Sequence, residues 1–317
     1  MKSAVEEKPN FSVKAPRRKI RRTKQDVVFD TVNIAFTLII TFIMTYPLWY
    51  IVIMSFSSAT AAASGKVYFW PIDATLEAYQ NVIKEDRIWR GYANTILYTI
   101  GSTCYNLVLM IPAAYVLSKK YLRFRGVISW YFFITMYFGG GLIPSYLLNK
   151  ALGLVNSPLI MVLGTGIACS NLIVTRTFFQ TSIPGELYES AYIDGASEFR
   201  CFVRITLPLS GAILAVMSLY NIVGVWGNFY TALIYLTNQN YWPLQMVLRQ
   251  ILILNETAVL NLGEMNEEEK ALALHQAELV YTMKYAIIFI ASAPLLCIYP
   301  FVQKYFVKGV MIGSVKG

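Results

Sequence analysis

Long apolar runs separated by short polar segments dominate the pattern of residues along this chain. Several runs exceed the roughly 18 consecutive apolar residues expected of a helix that crosses a bilayer. The first follows a polar tail and lacks a small-residue cleavage site, so it is predicted to be retained rather than removed as a signal peptide. Six spans are predicted, at about Phe29–Met54, Tyr92–Ser118, Val127–Leu148, Pro158–Phe179, Leu207–Leu236 and Leu279–Phe306. The pattern therefore predicts an all-α integral membrane fold with six transmembrane helices.

The polar segments divide the chain into a tail and a membrane domain. Residues 1–26 are predicted to be a cytoplasmic basic tail, and residues 27–317 a transmembrane domain with external segments at 55–91 and 237–278 and a cytoplasmic loop at 180–206. Only 14% of the residues are Asp, Glu, Lys or Arg, whereas soluble domains average about 25%. Composition therefore supports the membrane assignment.

Basic residues lie at four places that six spans would bring to one side of the membrane. By the positive-inside rule that side is the cytoplasm, so both termini are predicted to be cytoplasmic. The net charge of +9 is attributed to contact with membrane lipid and not to nucleic-acid binding. The residues are Arg17, Arg18, Lys19, Arg21, Arg22 and Lys24, then Lys119, Lys120, Arg123 and Arg125, then Arg200 and Arg204, and finally Lys304, Lys308 and Lys316.

Catalytic and metal-binding motifs are absent from the sequence. There is no phosphate-binding G-x-x-x-x-G-K-[ST] loop, no H-E-x-x-H and no G-x-S-x-G. His275 is the single histidine, and the four cysteines lack metal-ligand spacing. Ionisable groups are sparse within the spans, and Arg176 lies near a cytoplasmic end, where it can snorkel. The chain is therefore predicted not to be an enzyme, and the alternative of an ion- or proton-coupled secondary carrier lacks the ionisable pair that it would need.

The most informative segment is residues 184–210, between two apolar spans. Pro184 can open a helix, because its missing N–H would be unbonded in the first turn. Gly195 can end that helix in left-handed backbone space, and Ser197 suits the N-cap of a second short helix. The segment is therefore predicted to form two short helices on the cytoplasmic membrane face, as a docking surface would.

This segment resembles the EAA loop of permease subunits of bacterial ABC importers. The resemblance lies in Glu189-Ser190-Ala191, in Gly195 and in Leu207-Pro208, and the string from Ile193 to Ala196 is typical of the carbohydrate-uptake class. That class is related to the shorter permease of the maltose importer. One departure is Ser190, where the family has Ala, a small change that keeps the position tight. The C-terminal segments 299–309 and 313–317 are similar to the branch associated with complex oligosaccharides and polysaccharides.

The resemblance implies a type I ABC importer permease fold, in a bacterial inner membrane, that takes up oligosaccharides or complex glycans. It also implies a second homologous permease, an ATPase dimer and an extracellular sugar-binding protein as partners. ATP and Mg²⁺ would lie on the ATPase, so no cofactor is expected on this chain. The external segment 237–278 would meet the binding protein or form a lid on the permease itself. The residues carried over to ATPase coupling are Glu189, Ser190, Ala191, Asp194, Gly195, Arg200 and Pro208.

Polar side chains within the spans suggest a translocation path. We expect Asn221 and Asn228 on one face of the fifth span, with Tyr98 and Asn106 on the second and Asn171 on the fourth. Amide, hydroxyl and aromatic groups bind sugars, but such residues also hold membrane helices together, and both interpretations stay open. Gly139-Gly140-Gly141, followed by Pro144, is predicted to be a structural break in the third span rather than a gate.

Overall fold

The structure of the protein is a computed structural model that describes residues 23–164, 166–260, 278–298, 300 and 303. Within these ranges the chain is helical and contains no strand. Three of the helices are long and apolar enough to cross a membrane, and the number rises to five if each of two sharply bent helix pairs counts as one span. The all-α character is thus confirmed for the described ranges, which contain helices suited to a membrane, whereas the count of six spans stays a prediction.

The described helices are α1 Lys24–Ser55, α2 Ala59–Ala63, α3 Glu77–Lys84, α4 Asp86–Ser118, α5 Arg125–Tyr137, α6 Leu142–Ala151, α7 Leu159–Leu163, α8 Cys169–Thr181, α9 Gly185–Ile193, α10 Glu198–Cys201, α11 Leu207–Leu209, α12 Gly211–Trp226, α13 Tyr230–Tyr235, α14 Leu244–Leu260 and α15 Glu278–Ile298. A π-helical turn, Phe202–Thr206, joins α10 to α11, and a 3-10 turn, Gln239–Tyr241, precedes α14. The external segment predicted at 237–278 thus begins with this 3-10 turn and contains α14. The chain divides into two compact units between Trp49 and Tyr50. In the first unit, α1 exposes large apolar side chains such as Phe29, Phe36 and Phe42.

Helix α4 is the central element of the second unit. Its buried residues recur every three or four positions, from Ile88 and Gly91 through Ser102 and Asn106 to Ala114, which is the spacing of one helix face. Helices α7, α8, α12 and α14 all pack against it. The stripe mixes apolar with small polar residues, so neighbouring backbones approach closely and hydrogen bonds cross between helices.

The start of α14 packs closely against α4. A Cβ atom added at Gly91 would lie 3.1 Å from Cγ2 of Val247 and 3.2 Å from the Cα of Leu244. One turn further on, the hydroxyl of Thr95 accepts a hydrogen bond from the N–H of Leu244 at 2.8 Å. Gly91 leaves room for the N-terminus of α14, and Thr95 bonds to it, so the two residues together hold α14 against α4.

Three of the predicted spans are interrupted. The third consists of α5 and α6, which meet at 113°, and Gly141 between them has a φ of +81°. The structural break predicted at the three glycines is therefore confirmed. The fourth is divided into α7 and α8 after Gly164.

The prediction of one continuous fifth helix over Leu207–Leu236 is wrong. It consists of α11, α12 and α13, and α12 lies at 77° to the helical segment Glu198–Leu209. Helix α12 ends at Trp226 because Gly227 follows it, and the side-chain oxygen of Asn228 accepts a hydrogen bond from the N–H of Thr231 at 3.0 Å. Such local side-chain bonds compete with continuation of a helix, so Asn221 and Asn228 do not share one helix face.

Candidate functional site

The segment between α8 and α12 forms two short helices, as its sequence predicts. Helix α9 follows Pro184 and ends with paired backbone bonds, from the N–H of Ala196 to the carbonyl of Ala191 at 2.8 Å and from Gly195 to Tyr192 at 3.0 Å. Gly195 takes a φ of +73°, the left-handed conformation that such a helix end requires. Ser197 then caps α10 by accepting a bond from the N–H of Arg200 at 3.4 Å. We call residues 184–210 the coupling loop.

Most of the residues predicted to couple to an ATPase are exposed on the coupling loop. Glu189, Ser190, Asp194, Gly195, Arg200 and Pro208 are exposed, and Ala191 is half-buried. A Cβ atom at Gly195 would meet nothing within 4 Å, so within this chain the glycine is required by its backbone conformation and not by crowding. Pro208 lies in the first turn of α11, directly after the π-helical turn. An N–H group in a first helical turn has no partner within the helix, so proline is tolerated there.

Two large apolar side chains project from the same surface. Ile193 is 87% exposed and Phe199 is 75% exposed. They flank the turn at Gly195, one at the end of α9 and the other at the start of α10. An exposed apolar pair on a polar loop suits contact with another protein. The sequence-based site omitted both residues.

A cluster of tyrosines around Glu198 ties the coupling loop to the end of α4. The Glu198 carboxylate accepts hydrogen bonds from the hydroxyls of Tyr115 at 2.8 Å and Tyr192 at 2.6 Å, and a third from Tyr121. The ammonium of Lys119 lies 3.9 Å from the same carboxylate and 3.3 Å from the centre of the Tyr188 ring. We call these six residues the tyrosine–glutamate cluster.

The charges in the tyrosine–glutamate cluster stabilise one another. Burial alone would raise the pKa of Glu198, but bonds from the tyrosine hydroxyls and the charge of Lys119 outweigh it, so the pKa is lowered from its usual value. Burial and the bond to Glu198 raise the pKa of Tyr121 to about 12, and the same two causes raise that of Tyr192. Burial lowers the pKa of Lys119, and Glu198 opposes this only in part. The carboxylate is therefore held ionised at neutral pH.

Packing beneath the cluster continues this attachment. The ring of Tyr115 lies 5.0 Å from that of Phe202, and the hydroxyls of Tyr188 and Thr206 are 2.9 Å apart. Cys201 between them is fully buried. The amide of Gln180, at the end of α8, donates to the carbonyl of Ser118 at 3.1 Å. A force on the coupling loop would thus reach α4 and α8 through ordered contacts.

The sequence contains a pattern that could have indicated part of this cluster. Tyr188 and Tyr192 are four residues apart and so share one face of α9. Tyr115, Lys119 and Tyr121 surround the end of the second span. Glu198 is the acid that meets both groups, but only the fold shows that they meet.

The residues predicted to line a path use their polar groups inside the fold. The amide of Asn221 donates to the hydroxyl of Thr103 at 3.1 Å and lies 3.4 Å from that of Ser102. Asn228 donates to the hydroxyl of Thr231 at 2.8 Å, at the start of α13. These contacts join α12 to α4 and begin α13.

The remaining three path residues lie on α4 and α8. The Tyr98 hydroxyl donates to the carbonyl of Tyr241 at 2.9 Å, and the amide of Asn106 donates to the carbonyl of Gly166 at 2.7 Å. Asn171 is half-buried on α8, and its carbonyl accepts a bond from the hydroxyl of Thr175 at 2.8 Å. Within the described ranges no three His, Cys, Asp or Glu side chains are grouped as metal ligands would be. His275 lies outside the described residues, and so do the C-terminal segments 299–309 and 313–317 apart from residues 300 and 303.

Comparison with known proteins identifies the family. Residues 88–312 match the family described as "Binding-protein-dependent transport system inner membrane component". The chain belongs to this family. The match begins at the start of α4 and includes the coupling loop, so the permease domain is the part of the chain that defines membership. Since the family is the membrane component of a transport system, the expectation that this chain is not an enzyme is confirmed.

Two relatives of the permease come from Bacillus subtilis (strain 168). It is 38% identical to Protein LplC over 94% of this chain and 98% of that protein. It is 35% identical to the polygalacturonan/rhamnogalacturonan transport system permease protein YtcP, over 92% of this chain and 99% of the relative. A solved bacterial ABC transporter involved in the import of the acidic polysaccharide alginate has a chain with a TM-score of 0.79 and 31% identity, covering 90% of this permease and 99% of that chain. The resemblance to sugar-uptake ABC permeases is therefore confirmed.

Proposed function

We propose that this permease is one half of the transmembrane pathway of an ATP-driven ABC importer for oligosaccharides or complex glycans. The observation that carries the proposal is a two-helix coupling loop, bonded to α4, in a chain that belongs to a family of binding-protein-dependent transport components. The substrate class is supported by relatives named for polygalacturonan/rhamnogalacturonan transport and for alginate import. Family membership favours this function over an ion- or proton-coupled secondary carrier.

The coupling loop docks on an ATPase subunit. Glu189 accepts hydrogen bonds from the partner, Ile193 and Phe199 enter its apolar cleft, and Arg200 pairs with a carboxylate or with a lipid phosphate. The surface around Gly195 carries only short side chains, those of Ala191, Ser190 and Asp194, so the ATPase can approach the backbone closely. ATP and Mg²⁺ bind to the ATPase dimer and not to this chain. Closure of that dimer moves the coupling loop, and the tyrosine–glutamate cluster carries the motion to α4.

The permease crosses the bacterial inner membrane six times, with both termini in the cytoplasm. The coupling loop and the basic clusters then face the cytoplasm, in agreement with the positive-inside rule. Residues 55–91 and 237–278 face outward, where the latter contacts the sugar-binding protein. A second, homologous permease completes the pathway, to which Asn221, Asn228, Tyr98, Asn106 and Asn171 contribute after their internal bonds exchange during alternating access.

Uptake by the reconstituted complex tests this function. Proteoliposomes containing both permeases and the ATPase dimer should accumulate a labelled oligogalacturonide only with the binding protein outside and ATP inside. A protonophore should leave the rate unchanged, and this permease alone should not hydrolyse ATP, because it has no phosphate-binding loop. Uptake driven by an ion gradient without ATP would contradict the proposal. A neutral oligosaccharide of the same length, run in parallel, separates acidic from general glycan transport.

A further inference from the structure

A pocket of about 280 Å³ opens at the surface of the second unit, between α5, α8 and the end of α4. Six apolar side chains line it, those of Leu117, Trp130, Phe132, Phe133, Leu172 and Ile173. The rings of Trp130 and Phe133 pack edge to face with centroids 5.5 Å apart, and 63% of the surface of Trp130 is exposed. Helix α5 buries none of its residues. The pocket is therefore open on the side of α5, and its floor is formed by Leu117 and Leu172 of the buried core.

The polar end of the pocket carries positive charge without an anion. A guanidinium Nη1 of Arg176 donates to the hydroxyl of Ser129 at 3.4 Å, while its Nε is buried and has no hydrogen-bond partner among the described residues. A buried donor without an acceptor is costly. Arg125 lies close enough to repel Arg176, and its Nε donates to the carbonyl of Leu117 at 3.1 Å. Within the described ranges neither arginine is paired with a carboxylate.

We propose that this pocket binds one anionic phospholipid, whose phosphate accepts hydrogen bonds from Arg176 and whose acyl chain lies along the aromatic wall. A guanidinium presents several donors in one plane and so matches phosphate oxygens. A soluble anion would satisfy the charge but would leave the exposed apolar side chains of the wall, such as Trp130 and Phe133, in contact with water. Only a ligand with a charged head and an apolar chain fits both ends of the pocket.

The depth of Arg176 agrees with a lipid headgroup. It lies five residues before the end of α8 at Thr181, which places its Cα about 7.5 Å below that end. The side chain reaches from there toward Ser129 and Arg125, at the same end of the unit as Lys119 and the coupling loop. The lipid is thus assigned to the cytoplasmic leaflet, an assignment that rests on the proposed orientation of the permease.

Native mass spectrometry of the delipidated full-length permease tests the site. Phosphatidylglycerol and phosphatidylcholine with identical acyl chains are titrated separately. The first should bind about tenfold more tightly, because the choline of the second offsets the charge of its phosphate beside Arg176 and Arg125. R176Q should abolish this preference and R176K should restore part of it. R123Q is the matched control, because Arg123 is exposed in the preceding loop and lies over the Phe124 ring, 5.1 Å from its centre. It should keep the preference.

A second variant acts on the apolar end. I173W fills the pocket without removing a charge, so it should weaken both lipids and leave the melting temperature unchanged. Equal binding of the two lipids by the unaltered permease, or an unchanged preference in R176Q, would refute the site. Displacement of phosphatidylglycerol by millimolar inorganic phosphate would show a free anion site and also refute it.

The assembled importer decides between a lipid and a second permease as occupant. Brominated phosphatidylglycerol should quench the fluorescence of Trp130 in the complex, with W130F identifying the contribution of that residue. Absence of quenching in the complex, together with quenching in the isolated permease, would mean that the partner covers the pocket and would overturn the proposal. Lipid binding is measured without transport, so failure of ATPase coupling would leave these results unaltered.

Discussion

Replacement of Glu198 by alanine should loosen the coupling loop from α4 and uncouple ATP hydrolysis from uptake. The substitution removes the acceptor of three tyrosine hydroxyls and the partner of Lys119. Lys119 would then remain over the Tyr188 ring without a nearby carboxylate. We therefore expect α9 and α10 to keep their helical form, since Ser197 and Gly195 still cap them, and to lose their fixed position.

The magnitude follows from the exposure of the cluster. A hydrogen bond to a charged group contributes roughly 1.5–3 kcal/mol. The Glu198 side chain is 49% exposed in its ion pair, and the freed hydroxyls of Tyr121 and Tyr192 can bind water. The buried hydroxyl of Tyr115 loses its 2.8 Å bond to the carboxylate but keeps the backbone carbonyl of residue 198 at 3.4 Å. The net cost is therefore about 2 kcal/mol rather than the sum of three bonds.

The assay combines proteolysis, melting and transport in the assembled complex. E198A should increase cleavage of the coupling loop by limited proteolysis, lower the melting temperature, and raise ATP hydrolysis per sugar imported. E186Q is the matched control, because Glu186 is an exposed acid in the first turn of α9, and it should change none of these by more than a small amount. Normal coupling and protease resistance in E198A would refute the role given to the cluster.

Three further predictions concern the coupling loop and the path. G195V should insert normally but uncouple the ATPase, because a β-branched residue resists a φ of +73°. G195N tolerates that conformation and should keep coupling, unless the docked partner needs the space next to Gly195. The ratio of ATP hydrolysis to uptake measures both variants. N228L should lower the melting temperature through loss of the two bonds to Thr231 at the start of α13, and reduced uptake at unchanged stability would instead place Asn228 in the path. In alkali, the stability that Tyr121 contributes should be complete below pH 10 and lost as the pH rises through about 12, and an ultraviolet titration in which Tyr121 ionises near pH 10 would contradict this.

The helical membrane fold is predictable from the sequence. In lipid the backbone N–H and C=O groups of a long apolar run can form hydrogen bonds only with each other, and a helix provides those bonds. The interruptions are harder to predict. The three glycines signal the bend between α5 and α6, but Gly227-Asn228 looks like part of a polar stripe until Asn228 is seen to bond to Thr231 in the first turn of α13. A hydropathy average does not detect the end of α12 at this place, because the helix end depends on a single side-chain hydrogen bond.

The coupling loop shows the same division between local and tertiary information. Its helices, the turn at Gly195 and the cap at Ser197 follow from local rules and are found as expected. The part played by Glu198 depends on Tyr115 and Tyr121, which lie far away in sequence. Spacing within a loop cannot reveal a partner on another helix. Whether Asn221 and Asn228 line a path stays a prediction, because one arrangement of the helices shows only the bonds made in that arrangement.

Helix α4 is held by contacts at both ends, and its length makes the position of those contacts sensitive to the thickness of the bilayer. At 33 residues it is about 50 Å long, well beyond a hydrocarbon core of about 30 Å. One end is bonded to the coupling loop through Tyr115, and the other holds the segment before α14, since Asn94 donates to the carbonyls of Asn240 at 2.8 Å and Trp242 at 3.0 Å. A thinner or thicker membrane must therefore tilt α4 and shift both attachments together. Lipid chain length should then alter transport without any change of sequence.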